Sequence, residues 1–514
     1  MKTIVNFRSF VIIALITAAA VFTGRLVFSY TAIGVIILTS IVSGCLITGI
    51  ILRKKNIAAY KQVTFFTAAV TSVIAVAVFL VFLIVATNWI PKGLEDGNHD
   101  IKASIEKNYV VDGKNYVVIK NLNIDGSNVC GKMLVRVNND KVNFYNTPIG
   151  YKVSFSGYVK VKNVLGENSE YNFSSFSSNI RYITTVEAGD IAVKYGNADL
   201  MDIIYRFVCG QLVDNLGAEN GYVAYGMLSG DRYAISESIA DTFSIAGVAH
   251  ILAVSGLHIG FLTSLLFFLL KTLKVRKIPS FAITALVLFL YAIFAGFSPS
   301  VLRACFMCLV ASAAILVGEE KDLLNSLGFA VTAILIVAPQ MLFTAGMIMS
   351  TCAVFGLAVF AQPISLFLHE KLKLPKFISE SLSASVGAQL GVMPVTIYYF
   401  GTIQTYSVVT NVLLMPIIST AFIAVFISVI LSILPFMGFT IKVSGFFVNI
   451  LVKVSAAMAS LKYASITAKA GEYIFLVYPI YFVCGGYVNV KYKRLVYFIS
   501  WICMAILMIL CVVI

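Results

Sequence analysis

Residues 407–434 read SVVTNVLLMPIISTAFIAVFISVILSIL and contain no acid, no base and no histidine. A run of about 20 apolar residues is long enough to cross the hydrocarbon core of a bilayer as a helix. Its backbone finds no water there, so its N–H and C=O groups must bond one another along the helix. Similar runs recur at 247–270, 280–297, 301–318, 323–339, 345–368, 380–400, 440–461, 471–489 and 494–514, and earlier at 9–28, 31–52 and 63–87. The pattern predicts a polytopic α-helical membrane protein of about 13 spans. Composition agrees, since 59% of the 514 residues are hydrophobic and 12% are charged, against about a quarter charged in soluble domains. That balance excludes a soluble enzyme or a free-standing nucleic-acid-binding domain.

The net charge of +14 reads first as topology, because cytoplasmic loops collect Lys and Arg. Arg53, Lys54, Lys55 and Lys61 mark one such loop, and Lys271, Lys274, Arg276 and Lys277 a second. Lys371, Lys373 and Lys376 mark a third, and Lys491, Lys493 and Arg494 a fourth. Alternation of the spans puts all four inside and residues 89–198 outside. Of nine cysteines, seven lie in apolar runs, where Cys packs as a small hydrophobe. Cys130 and Cys209 fall outside those runs, and a disulfide between them stays open.

Four regions follow. Residues 1–88 are N-terminal transmembrane helices, 89–198 a small extracytoplasmic β-domain, 199–246 amphipathic helices, and 247–514 the main transmembrane body. Strand patterning is clearest at 151–162. There Tyr151, Val153, Phe155, Val159 and Val161 share one face, and Lys152, Tyr158, Lys160 and Lys162 the other. Asp112-Gly113, Asp125-Gly126 and Asn138-Asn139-Asp140 are turn signals. Leu200, Ile203, Ile204, Phe207, Val208, Leu212 and Leu216 form one helical face. It suits either the membrane interface or a cover for the β-domain.

At the start of a predicted span stands HILAVSGLHIG, residues 250–260. Ionisable side chains are costly in a membrane and so mark pathways or sites. Ser255 and His258 are neighbours on a helix surface, and Gly256 with Gly260 forms a small-xxx-small pair that admits another backbone. The bland alternative is helix packing around a satisfied histidine. Arg303, Gln389, Thr396 and Asn411 are further polar groups suited to line a path, with a snorkelling arginine as the alternative for Arg303. Pro394 and Pro416 are predicted to break helices and free backbone groups toward a cavity.

The run His250–Gly260 resembles the signature of the ComEC family of competence proteins. The resemblance extends in order through Gly230-Asp231-Arg232, Ser300–Ala304, Met349–Leu357, Gln389–Pro394, Phe400-Gly401 and Asn411–Pro416. It implies that the β-domain is an OB-fold and that the chain carries single-stranded DNA across the bacterial cytoplasmic membrane. His250, Ser255, Gly256, His258, Gly260, Arg303, Gln389 and Asn411 would then lie on the path. Lys152, Tyr158, Lys160 and Lys162 would suit a strand by pairing cations with a stacking ring. The β-domain's own balance is only +1, from 13 Lys and Arg against 12 Asp and Glu over 88–200, so gating is its alternative role. The implied partners are single-stranded DNA, membrane lipid, a DNA-receptor protein, a separate nuclease and a cytoplasmic ATPase or helicase, with homo-oligomerisation open.

Many relatives carry a further metallo-β-lactamase-like domain. No H-x-H-x-D-H run occurs among the four histidines, so no metal, no cofactor and no enzymatic activity are expected, and the chain reads as a form without that domain. Two other classes compete. An intramembrane serine hydrolase would use Ser255, but Ala253 stands where a G-x-S-G pattern needs glycine. A small-solute transporter would show an internal repeat, and none is visible.

Overall fold

The computed structural model describes residues 11–21, 73–85, 96–111, 114–138, 151–161, 180–187, 190–194, 200–231, 235–318, 322–434 and 436–468, apart from 12 and 83, with a few positions from 471 to 478. After helical segments within 11–21 and 73–85 come seven strands: β1 (Gly97–Val111), β2 (Lys114–Ile124), β3 (Ser127–Val129), β4 (Lys132–Asn138), β5 (Lys152–Val161), β6 (Ile180–Glu187) and β7 (Ala192–Lys194). The sheet runs β1-β2-β4-β6-β5, and β5 returns to pair with β1. All of these pairings are antiparallel except β4 with β6. This closed five-stranded ring is an OB-like barrel.

The alternation of side chains decides which face is inside. Val153, Phe155 and Val159 are buried, while Lys152, Tyr158 and Lys160 point out, as the period of two requires. Lys162 lies outside the described residues. The β2–β3 turn uses Asp125 and Gly126, both with positive φ, which matches the twist of the flanking strands. The Asp125 carboxylate pairs with His99 Nδ1 at 2.6 Å and accepts the Asp100 N–H at 2.9 Å. Those two bonds hold its carboxyl below the usual carboxylate range. Cys130 and Cys209 are both free thiols, so the open disulfide is not formed.

Helices after the barrel are α1 (Leu200–Leu216), α2 (Ala218–Ser229), α3 (Glu237–Ile245), α4 (Gly256–Thr272), α5 (Lys277–Phe294) and α6 (Pro299–Val317). They continue as α7 (Leu323–Val337), α8 (Ala345–Glu370), α9 (Lys376–Phe400), α10 (Ser407–Leu431) and α11 (Phe439–Ala459). A two-stranded ribbon joins β8 (Thr402–Gln404) to β9 (Ser465–Thr467). Among the described residues, α5, α6, α8, α10 and α11 are long and apolar enough to cross a membrane. Helices α4, α7 and Val73–Phe82 are apolar but shorter. Helix α9 has the length of a span, but Ser379, Glu380, Ser381, Ser383, Ser385 and Gln389 dilute its apolar character. The spans at 31–52 and 494–514, and most of 471–489, lie outside the described residues.

Helix α1 covers the barrel, one of the two roles that its periodicity left open, and also packs on the helical body. Its buried Asp202 accepts from Lys120 of β2 at 3.3 Å, and Arg206 sits 4.9 Å over the Tyr151 ring, so it holds the barrel. On its other side Tyr205 donates to the Phe294 carbonyl at the end of α5, at 2.9 Å. Val208 and Leu212 enter the helical core, while Leu200, Ile203 and Phe207 remain exposed. Helix α2 is buried on nearly every side, which marks it as an interior helix and not the amphipathic one expected.

Two expectations about helix breaks are corrected. Pro394 and Pro416 lie inside continuous helices α9 and α10. A proline removes one helical donor, and neighbouring groups take up the strain in membrane helices. Near Pro394, the Tyr478 hydroxyl donates to the Gly391 carbonyl at 2.7 Å. The backbone-to-backbone approach foreseen for Gly256 and Gly260 instead occurs between α8 and α9. A Cβ on Gly356 would overlap the Gly387 carbonyl and stand 2.6 Å from the Gly391 Cα. A Cβ on Gly391 would overlap the Cys352 carbonyl.

Candidate functional site

The segment 247–256 is mostly non-helical and caps the barrel-side end of the helical body. Ala249–Ile251 is a single 3-10 turn, and Leu252, Val254 and Ile251 are buried beneath it. Gly230, the αL C-cap of α2 with φ +77°, ends that helix; a left-handed residue is cheap only for glycine. A Cβ there would lie 3.4 Å from Val254 N, so the two quoted motifs meet in space. Asp231 follows with its N–H on Ser229 Oγ at 3.1 Å. Arg232 lies outside the described residues. The Tyr291 hydroxyl of α5 donates to the Leu228 carbonyl at 2.8 Å and ties α2 into the same cluster.

Ser255 is the N-cap of α4, and His258 is its third helical residue. The Ser255 N–H donates to His258 Nδ1 at 3.1 Å, which is the reciprocal half of a capping box. The imidazole is 1% exposed and stacks on Phe422 of α10, with ring centroids 4.6 Å apart. Its Nε2 is buried without a hydrogen-bond partner. His258 therefore packs against α10 and caps α4 here. The Ser255 Oγ is 3.5 Å from the same Nδ1, so serine and histidine share one nitrogen in a helix cap.

Gly256 opens α4 on the side of α6. A Cβ there would be 3.5 Å from Arg303 Nη2 and 3.7 Å from the Ala304 Cβ. Arg303 is 3% exposed, and among the described residues its Nε has no partner and its Nη1 reaches only the Met307 sulfur at 4.0 Å. Gly260 faces open space, with nothing within 4 Å of a Cβ built on it. Gly247 closes the segment against the start of α10, where a Cβ would stand 2.9 Å from the Ser407 Cα. One turn further along α10, Asn411 Oδ1 is buried and unpartnered, as is Ser407 Oγ. Gln389 is half-buried on α9.

The structure thus gathers Gly230, Asp231, Val254, Ser255, Gly256 and Arg303 at one end of the bundle. Phe422 as the lid on His258 and Tyr291 as the tie to α2 had no local sequence signal, because each lies on a distant apolar helix. Among the described residues, no three His, Cys, Asp or Glu side chains are placed to hold a metal ion.

The competence protein family matches residues 227–494, just over half of the chain. Over 194 residues the chain is 31% identical to ComE operon protein 3 of Bacillus subtilis (strain 168). That match covers 38% of this chain and 24% of the relative, so the chain aligns with about a quarter of that protein's length. No solved structure matches. The matched stretch runs from the end of α2 through the His250–Gly260 segment and the helices that carry Pro394 and Pro416, and on that ground the chain belongs to the competence protein family.

Proposed function

We propose that this protein carries single-stranded DNA across the cytoplasmic membrane during DNA uptake, as a channel and not as a nuclease. The observation that carries the reading is the meeting of Gly230, Ser255–Gly256 and Arg303 at the barrel-side end of the body, within the region matched by the family. A bare phosphate cannot enter hydrocarbon without compensating polar groups, and donors of this kind lie at this end in the Arg303 guanidinium and the Ser407 hydroxyl, whose Nε and Oγ are unpartnered. In this reading the barrel stands outside and receives the strand. Exposed Tyr158 with Lys152 and Lys160 offers a ring and cations on one strand face. In this reading the motor is a separate protein, since no phosphate-binding loop of the G-x-x-x-x-G-K-[ST] type occurs in the sequence, and so is the nuclease, since no H-x-H-x-D-H run occurs.

Deleting the gene and following labelled DNA into the cytoplasm tests the proposal. Loss of uptake with surface binding retained is expected, and normal uptake would overturn it. Orientation has its own reporter in Cys130, which is exposed and free on the barrel. A membrane-impermeant thiol reagent should label it in intact cells, and the label should vanish in Cys130→Ser. Labelling only after permeabilisation would reverse the topology.

A further inference from the structure

Arg303 is a buried cation without a counter-charge. Its side chain is 3% exposed, its Nε is unpartnered, and among the described residues its only polar contact is the Met307 sulfur at 4.0 Å. A thioether is a weak acceptor, and a guanidinium in a dry site without an anion is costly. Its Nη2 points at the first turn of α4, 3.5 Å from where a Gly256 Cβ would stand. Helix α4 has 17 residues, and the N–H groups of a first turn lack acceptors within their own helix and carry the positive end of its dipole. Two positive features therefore face each other across a gap that glycine leaves open.

Asp231 belongs to the same end of the bundle, with its N–H on Ser229 Oγ, but among the described residues no carboxylate pairs with Arg303. No Asp or Glu occurs between Asp241 and Glu319. Those that follow up to residue 471 are Glu319, Glu320, Asp322, Glu370 and Glu380, which come after α6 or flank the α8–α9 connection, at the other ends of their helices. What satisfies a guanidinium and a helix N-terminus together is an anion with several acceptor oxygens.

We propose that Arg303 and the first turn of α4 at Gly256 form a binding site for a single phosphodiester group, taken from the backbone of the transported strand. The strand as source rests on the transport reading above; the anion chemistry does not. Gly256 sets the width of the site, and Arg303 supplies the fixed charge, so the site handles one phosphate at a time and ignores base identity.

The test uses the full chain in detergent, with melting temperature as readout and dithymidine monophosphate as probe. Wild type should gain melting temperature saturably with the probe, and thymidine, which lacks the phosphate, should give nothing. Arg303→Met should lose the response without melting lower than wild type in the absence of probe, because it removes an unpaired buried charge. Arg303→Lys should keep part of it. Glycerophosphoglycerol separates the sources, since an equal or larger gain from it would assign the site to lipid headgroups and overturn the strand proposal. A response in Arg303→Met equal to wild type, or none in wild type, would also overturn it. In cells, Arg303→Met should lower DNA uptake per inserted molecule about tenfold. Normal uptake by Arg303→Met in a strain that needs the gene defeats the site and spares the transport reading. Uptake that survives deletion of the gene defeats the transport reading, while the probe-dependent shift still stands for the anion site.

Discussion

Glycine brings helices together at several places in the body, and at two of them the gaps it leaves are filled differently. At the α8–α9 crossing, Gly356, Gly387 and Gly391 set backbone against backbone: a Cβ on Gly356 or Gly391 would overlap a carbonyl, and one on Gly387 would press on the Gly356 carbonyl at 3.2 Å. At the α4–α6 crossing, the space over Gly256 is met by the end of a flexible guanidinium and one methyl group, both at ordinary contact distance. Small residues at membrane helix contacts usually serve close packing. The first junction fits that use. The second carries a charge in the gap, which packing alone does not call for.

The largest effect should come from the closed junction. Gly391→Val places a branched side chain against the Cys352 carbonyl and the Gly356 backbone. It should cost more than about 3 kcal/mol and remove most inserted protein, as read by membrane level and melting temperature. Wild-type levels of a folded Gly391→Val protein would end the distinction between the junctions.

His258→Ala comes next. It removes the acceptor of the Ser255 N–H and the stack on Phe422, together about 2 kcal/mol. Melting temperature should fall while uptake per folded molecule persists. The opposite result, stable protein with lost uptake, would move the imidazole onto the path.

Gly260→Ala should give the smallest change and the opposite sign. Nothing lies within 4 Å of a Cβ at that helical position, and alanine stabilises a helix over glycine by about 0.5–1 kcal/mol. A drop in melting temperature would mean that a neighbour approaches Gly260 after all.

How much of this was legible in the sequence depends on the range of the interaction. Strand alternation at 151–161 and the Asp125-Gly126 turn depend on neighbours along the chain, and both stand in the structure as written. The same holds for Ser255 and His258, which sequence spacing made neighbours and the structure joins through a cap. The OB-like barrel needed more than periodicity, because a parallel β4–β6 pairing links strands distant in sequence. Gly256 and Gly356 look alike in sequence, each followed four or more residues later by another small or apolar residue, and only the partner helix separates them. The prolines misled for a similar reason: Pro394 and Pro416 break isolated helices, but buried neighbours keep α9 and α10 continuous. Among the described residues five helices meet both the length and the hydropathy of a span, and Ser-rich α9 meets the length alone.

Gly256 is where the central claim is exposed to one measurement: DNA uptake per inserted molecule in Gly256→Leu, beside Gly256→Ala, with melting temperature recorded for both. The space beside Arg303 admits a methyl group at ordinary contact distance, and a longer side chain there competes for the place assigned to the phosphate. Gly256→Ala should insert, melt within a few degrees of wild type and take up DNA. Gly256→Leu should insert and melt similarly but lose uptake. Normal uptake per molecule in Gly256→Leu would contradict the account, because the junction at α4 and α6 would then be packing and nothing more.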